Sequence, residues 1–272
     1  RGERVQCLQV NFVQFVQFVP VSERYVASHS VKTRLEDGIF IITINNTARN
    51  NCVSLPTAKA LVDAFLRFEA DDNAKVAILH GEGANFCCGH DLKEVSQASF
   101  IHFDEDLVEK YRPMLLAAVE GYAVAGGLEL ALLADFRVAS STAKFGVFCR
   151  RVGVPLLDGG TVRLPKVIGL GRALDLILTG REVSAEEALS IGLANRVVPK
   201  GKALEETIKL AKLIASHPNA CMLVDRTSTY NSLSAPTLQD ALDFEYTEGV
   251  SVLAESVQGA LKFIKRPRTS KL

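Results

Sequence analysis

Apolar residues recur along this chain in two rhythms. Ile39 to Ile44 is an unbroken β-branched run between Gly38 and Asn45–Asn46, which predicts a buried strand. Ala60, Leu61, Ala64, Phe65 and Phe68 then share one helical face, with Thr57 placed to cap it. Val76 to Leu79 reads as a short buried strand broken by Gly81-Glu82-Gly83, and Asp91 to Gln97 as a short helix after the Gly89 turn. Leu115 to Val119 is another buried strand ended by Gly121; a helix over 126–133 and a strand over 136–139 follow. This alternation, through about residue 145, predicts an α/β arrangement in which helices lie on a sheet.

The strand signal fades after about residue 165. Arg172 to Thr179, Ala203 to Ser216 and Leu238 to Phe263 carry helical patterns, and Ser184-Ala-Glu-Glu187 has the spacing of a capping box, with Gly192 stopping its helix. Three parts result: an N-terminal extension or leader remnant over 1–30, a mixed core over 31–200 and a helical region over 201–272. The extension contains Val-Gln-Phe-Val-Gln-Phe, which alternates like an amphipathic strand. Its few acids, Glu3 and Glu23, and its arginines and serines are compatible with a mitochondrial leader.

Composition narrows the function classes. Lys and Arg together number 31 and Asp and Glu 31, so no global field points to nucleic acid or a membrane surface. The basic end (Lys262, Lys265, Arg266, Arg268, Lys271) reads as a solvated terminus. Cys7, Cys52, Cys87, Cys88, Cys149 and Cys221 are scattered without a C-x-x-C pair, against a zinc site or disulfide framework and for a reducing compartment. The most apolar stretch, Ala117 to Ala134, holds Glu120, Glu129 and several glycines, too short and polar to span a bilayer.

Three segments carry candidate chemistry. Ala125-Gly126-Gly127-Leu128-Glu129 follows a strand and opens a helix, where unpaired amides sit at the positive end of the helix dipole. Glycines admit a close ligand, and a carbonyl oxygen placed there is stabilised as charge develops on it. Glu129 shares a face with Gly126 and is placed for acid–base work on a carbon beside that carbonyl. The alternative is a glycine pair that merely packs helix on sheet. In Phe86-Cys87-Cys88-Gly89-His90-Asp91, the His90 amide is again exposed at a helix start, and two such amides can clamp one oxygen. The His90 side chain is either a titrating base or a solvated turn residue. The glycine- and proline-rich run from Phe145 to Thr161 predicts a long irregular loop, in which Arg150–Arg151 either hold an anion or are solvated.

These segments, in this order, resemble the crotonase (enoyl-CoA hydratase/isomerase) superfamily over roughly residues 33–265. The matching pieces are Phe86 to Leu92, Ala117 to Ala131, Phe145-Gly146, Asp158-Gly-Gly-Thr161 with Arg163-Leu-Pro165, Gly180, Ala185 to Leu193 and Val197-Val198. The resemblance implies a ββα spiral core with a helical C-terminal trimerisation region, and a homotrimer or dimer of trimers. It implies an acyl-CoA substrate whose thioester carbonyl sits between the amides of His90 and Gly126, with no metal and no cofactor beyond the coenzyme A of the substrate itself. Hydratases of this kind hold one water between two glutamates. Glu129 matches the first, but the second falls on Cys149, which acts as a base only as a thiolate. Asp158, later in the same loop, is a candidate second carboxylate or a turn residue before Gly159-Gly160. The segment from His90 to Gly126 is short for the family, which leaves acyl length open. The leading expectation is an enoyl-CoA hydratase-like lyase in a mitochondrial or cytoplasmic setting. An isomerase or decarboxylase on the same scaffold, or a non-catalytic acyl-CoA-binding protein, are the alternatives that turnover of different thioesters separates.

Overall fold

A computed structural model describes residues 30–97 and 114–265. The N-terminal alternating segment, Arg266, Arg268 and Lys271 of the basic end, and residues 98–113 of the short segment lie outside the described residues.

The chain opens with a hairpin of β1 (Val31–Glu36) and β2 (Ile39–Ile44), turned by Asp37 and Gly38 at positive φ. Then come α1 (Leu55–Glu69), β3 (Val76–Gly81), α2 (Leu92–Ser96), β4 (Leu115–Val119), β5 (Tyr122–Val124) and α3 (Gly126–Leu133). β6 (Phe136–Ser140), β7 (Lys144–Gly146), α4 (Gly160–Ile168), α5 (Leu170–Thr179), β8 (Val183–Ser184), α6 (Ala185–Ser190) and β9 (Arg196–Val198) complete the mixed part. Helices α7 (Ala203–Ala215), α8 (Asn219–Ser232), α9 (Leu238–Ser251) and α10 (Leu253–Ile264) follow.

The strands form two sheets. The larger has the order β1-β2-β3-β4-β6-β9, parallel except for β1, and the smaller has the order β5-β7-β8. Parallel strands covered on both faces must be apolar on both, which is why Ile39–Ile44 shows no alternation. Phe40, Ile42, Ile44, Leu79 and Ala117 face α1, α3 and the smaller sheet; Ile39, Ile41, Ile78, Leu116 and Val138 face Ala203, Leu210 and Ala211 of α7. α8 is tied to this body by Asp135, which accepts from Arg226 Nε at 2.9 Å and Tyr230 Oη at 2.6 Å.

Several local expectations are corrected. α1 starts at Leu55 with Ser54 as its N-cap, and the Thr57 hydroxyl lies 3.0 Å from that of Ser54 rather than capping. Proline at the helix start moves the boundary forward, because Pro56 is preorganised for a first turn and lacks the N–H an interior position needs. Ala58 rather than Ala60 completes the buried face. Only half of the Ser184 capping box forms: Ser184 Oγ accepts from the Glu187 amide, but Arg181 takes the Glu187 carboxylate with two nitrogens at 2.7 and 3.0 Å. A bidentate charged pair outcompetes a single backbone donor. The full box stands instead at Thr237–Asp240. The predicted loop over 145–161 contains the end of β7 and a 3₁₀ turn, Phe148–Val152. The long C-terminal helix is two, divided at Val252.

Candidate active site

The site is assembled around the first turn of α3. Ala125 precedes it with φ 53° and ψ −127°, a region that residues with a side chain rarely occupy. This turn reverses the chain from β5 into the helix, with the Ala125 amide bonded to the Gly146 carbonyl at 2.9 Å. Gly127 is required by packing: a Cβ there would lie 2.0 Å from the Cys87 carbonyl oxygen. Gly89, at φ +88°, allows the other backbone to approach, since a Cβ on it would lie 2.9 Å from the Gly126 nitrogen.

His90 is placed by a parallel bridge to Val53. Val53 donates to the Gly89 carbonyl at 2.8 Å, and the Asp91 amide donates to the Val53 carbonyl at 2.9 Å. That bridge pattern uses the groups flanking His90 and turns its own N–H to the opposite side. Neither the His90 nor the Gly126 amide has a protein acceptor among the described residues. α2 begins two residues after His90, at Leu92, with Asp91 capping it from its side chain and pairing with Arg49.

Glu129 projects from the first turn of α3 and is 2% exposed. Its Oε1 accepts from the amides of Asp158 and Gly160, each at 2.9 Å. Burial pushes the carboxyl up to about 7; the nearby Asp158 charge adds to this, while the two amides and His90 oppose it. Gly160 is a glycine for this reason, since a Cβ on it would meet Glu129 Cγ and Oε1 at 2.8 Å.

Asp158 does not cap α4, whose N-cap is Gly159 without a side-chain bond. Its Oδ2 lies 2.6 Å from His90 Nε2, and its Oδ1 is buried without a protein partner. The hydrogen bond to Asp158 raises the His90 pKa above its ordinary value, burial opposes this, and the charges of Asp158, Glu129 and Glu94 add to the rise.

Cys149 lies in the 3₁₀ turn, buried and near enough to Glu129 to feel its charge. Burial raises its thiol pKa, and Glu129 adds to that; Arg150 opposes only weakly. The thiolate that base chemistry at this position requires is therefore disfavoured. Arg150 donates to the Ile177 carbonyl at 3.1 Å and Arg151 to that of Gly180 at 2.8 Å, so the pair ties this turn to the end of α5. Arg151 also stacks 3.6 Å over the Phe148 ring. Among the described residues, no three His, Cys, Asp or Glu side chains group as a metal site, and no helix is long and apolar enough to cross a membrane.

The structure thus brings His90, Gly126, Glu129 and Asp158 together, with Cys149 at their edge. Sequence reasoning missed the Gly160 amide and the contact made by the His90 ring. The run Asp158-Gly-Gly was the available signal, because paired glycines leave amides accessible to an acceptor.

The chain that brings the His90 and Gly126 amides beside the buried Glu129 has known relatives. The family model for enoyl-CoA hydratase/isomerase matches residues 34–267. The enoyl-CoA hydratase EchA19 of Mycobacterium tuberculosis is 37% identical over 189 residues, 65% of this chain and 71% of that protein. The carnitinyl-CoA dehydratase of Salmonella arizonae is 34% identical over 219 residues, covering 76% and 83%. The crystal structure of enoyl-CoA hydratase EchA1 from Mycobacterium marinum superposes with a TM-score of 0.83 at 34% identity, over 88% of this chain and 98% of that one. With the ordered motifs, the two-sheet core and the paired amides all in agreement, the chain belongs to the enoyl-CoA hydratase/isomerase family.

Proposed function

We propose that this protein is an enoyl-CoA hydratase-like lyase that adds water across, or removes it from, the double bond conjugated to a coenzyme A thioester. The observation that carries this is the buried Glu129, one oxygen pinned by two amides, beside the unpartnered amides of His90 and Gly126. The thioester oxygen lies between those amides, which stabilise negative charge as it forms. In the hydration direction, a water oxygen bonds to the β-carbon as one of its protons passes to the Asp158 carboxylate. The π electrons of the double bond shift toward the thioester and collect on the oxygen held by the amides. Protonated Glu129 then gives its proton to the α-carbon, and the proton on Asp158 returns to Glu129 through solvent, closing the cycle. A carboxyl with a pKa of about 7 is suited to both directions near neutrality. The acyl group arrives on its coenzyme A, which is part of the substrate.

The test is steady-state hydration of crotonyl-CoA and longer enoyl thioesters by the native protein and Glu129→Gln. Turnover reduced by about 100-fold or more in the variant is expected; unchanged rates, or an inert native protein, refute the assignment.

The same reading extends to assembly and setting. A homotrimer or dimer of trimers is supported by the exposed apolar residues of α9 and α10, among them Leu238, Leu242, Tyr246, Val250 and Val257, and light scattering on the full chain tests it. A reducing compartment, mitochondrial or cytoplasmic, is supported by the free thiols of Cys52, Cys87, Cys88, Cys149 and Cys221. Localisation of a tagged full-length protein distinguishes the two settings.

A further inference from the structure

The thioester amides and Glu129 leave the His90 imidazole unexplained. Its Nε2 is 2.6 Å from Asp158 Oδ2, a short, charge-assisted contact. Asp158 is 7% exposed, and its other oxygen has no protein donor although it is buried. A buried carboxylate oxygen left without a donor destabilises the fold. That oxygen therefore calls for a donor from outside the chain, of the kind a water or a substrate hydroxyl supplies. The same Nε2–Cδ2 edge of the imidazole borders Gly126: a Cβ on Gly126 would meet His90 Cδ2 at 3.2 Å and Nε2 at 3.4 Å.

The groups facing this pair come from every element around it. Glu94 of α2, Glu129 of α3 and Asp158 act on His90. Arg163 of α4 reaches the Asp158 backbone carbonyl at 2.8 Å. The buried Cys149 lies on the Glu129 side and supplies no carboxylate.

We propose that the His90 side chain is a positioning residue that holds Asp158 Oδ2 so that Oδ1 is turned toward the reacting water, and that the His90–Asp158 pair thereby replaces the carboxylate absent at Cys149. This rests on the hydratase reading above. His90 then has two separate duties: its amide polarises the thioester, and its ring sets up the base that receives the water proton. The pair transfers no proton to carbon; that step stays with Glu129.

His90→Ala and His90→Gln separate these duties, because both keep the backbone amide and only glutamine keeps a side-chain donor. Crotonyl-CoA hydration is followed from about pH 5 to about pH 9. In His90→Ala, kcat is expected to fall about 10- to 100-fold with KM within about threefold, and the acid limb of kcat to move to higher pH. His90→Gln should recover part of kcat on the alkaline side but retain the shifted limb, since it lacks the imidazolium charge. NMR of the imidazole nitrogens supplies a readout free of turnover: the His90 titration should fall to lower pH in Asp158→Asn. If the native protein is active and Glu129→Gln is not, while both His90 variants keep the native kcat and acid limb, the pair only braces the loop and this inference is overturned. An unchanged His90 titration in Asp158→Asn overturns it equally. A native protein inert toward all enoyl thioesters removes the hydratase reading itself.

Discussion

Replacing Glu129 by Gln should make the protein more stable above neutrality while abolishing its acid–base chemistry. The ordinary value for this carboxyl is 4.5 and the folded protein holds it at about 7, chiefly through burial. Between those values the folded state binds a proton that the unfolded chain releases, so stability falls as pH rises through this window. At about 1.4 kcal/mol per pH unit, the ionised Glu129 costs the native fold roughly 3 kcal/mol at pH 8 and almost nothing at pH 4. Glutamine keeps the side-chain oxygen that accepts from Asp158 and Gly160 and carries no charge to desolvate. His90 also loses its stabilising effect as pH rises through its raised pKa, but it is present in both proteins and largely cancels in the comparison. The difference in melting temperature should therefore grow from near zero at about pH 4.5 to about 5–10 °C at about pH 8, with the variant higher. Thermal unfolding by circular dichroism across this range is the assay. Parallel pH profiles for the two proteins would refute the reasoning, because they would mean that burial does not hold Glu129 toward its neutral form.

Other perturbations separate chemistry from scaffold. Gly160→Ala should leave the far-UV spectrum intact and lower kcat at least about 10-fold, because its Cβ would press on Glu129 at 2.8 Å; native-like kcat argues against the pinned geometry. Arg137 is 4% exposed and donates to the carbonyls of Ala134 and Leu193, each at 2.6 Å. Arg137→Met should cost about 2–4 kcal/mol in urea unfolding by leaving those acceptors unpaired, and a loss under about 1 kcal/mol would contradict this. Cys149→Ala should keep kcat within about threefold, and Cys149 should alkylate slowly at about pH 8 because burial raises its thiol pKa. A kcat loss above about 10-fold in that variant would restore a chemical role to the thiol.

The parts legible in the sequence were those governed by short-range rules. β2, β3 and β4 announce themselves as unbroken apolar runs, and Gly126-Gly127 before Glu129 announces a helix start with open amides. α4 and α8 did not. Pro165 and the flanking glycines disguise the first, while Thr227, Ser228 and Thr229 weaken the helical pattern of the second. β5, β7 and β8 are too short to show a period and exist because they pair with one another. At the site, Glu129 follows from local spacing, whereas the meeting of His90 with Asp158 depends on how the sheets fold over each other. Residue type at position 90 indicated that a proton could be bound there, but only tertiary packing supplies the partner.

The loop from Asp158 to Gly160 joins the Glu129 and His90 contacts in one short piece. Asp158 donates its amide to Glu129 and presents its side chain to His90, so the same residue spaces one carboxyl and carries the other. The distance between them is consequently set by the hydrogen bond from the Asp158 amide together with the first turn of α3. Evolution on this loop is therefore constrained to move as a unit: a substitution that shifts the Asp158 side chain also displaces the Glu129 carboxyl. Paired substitutions at Gly160 and His90 should accordingly combine non-additively, unlike changes placed in separate elements.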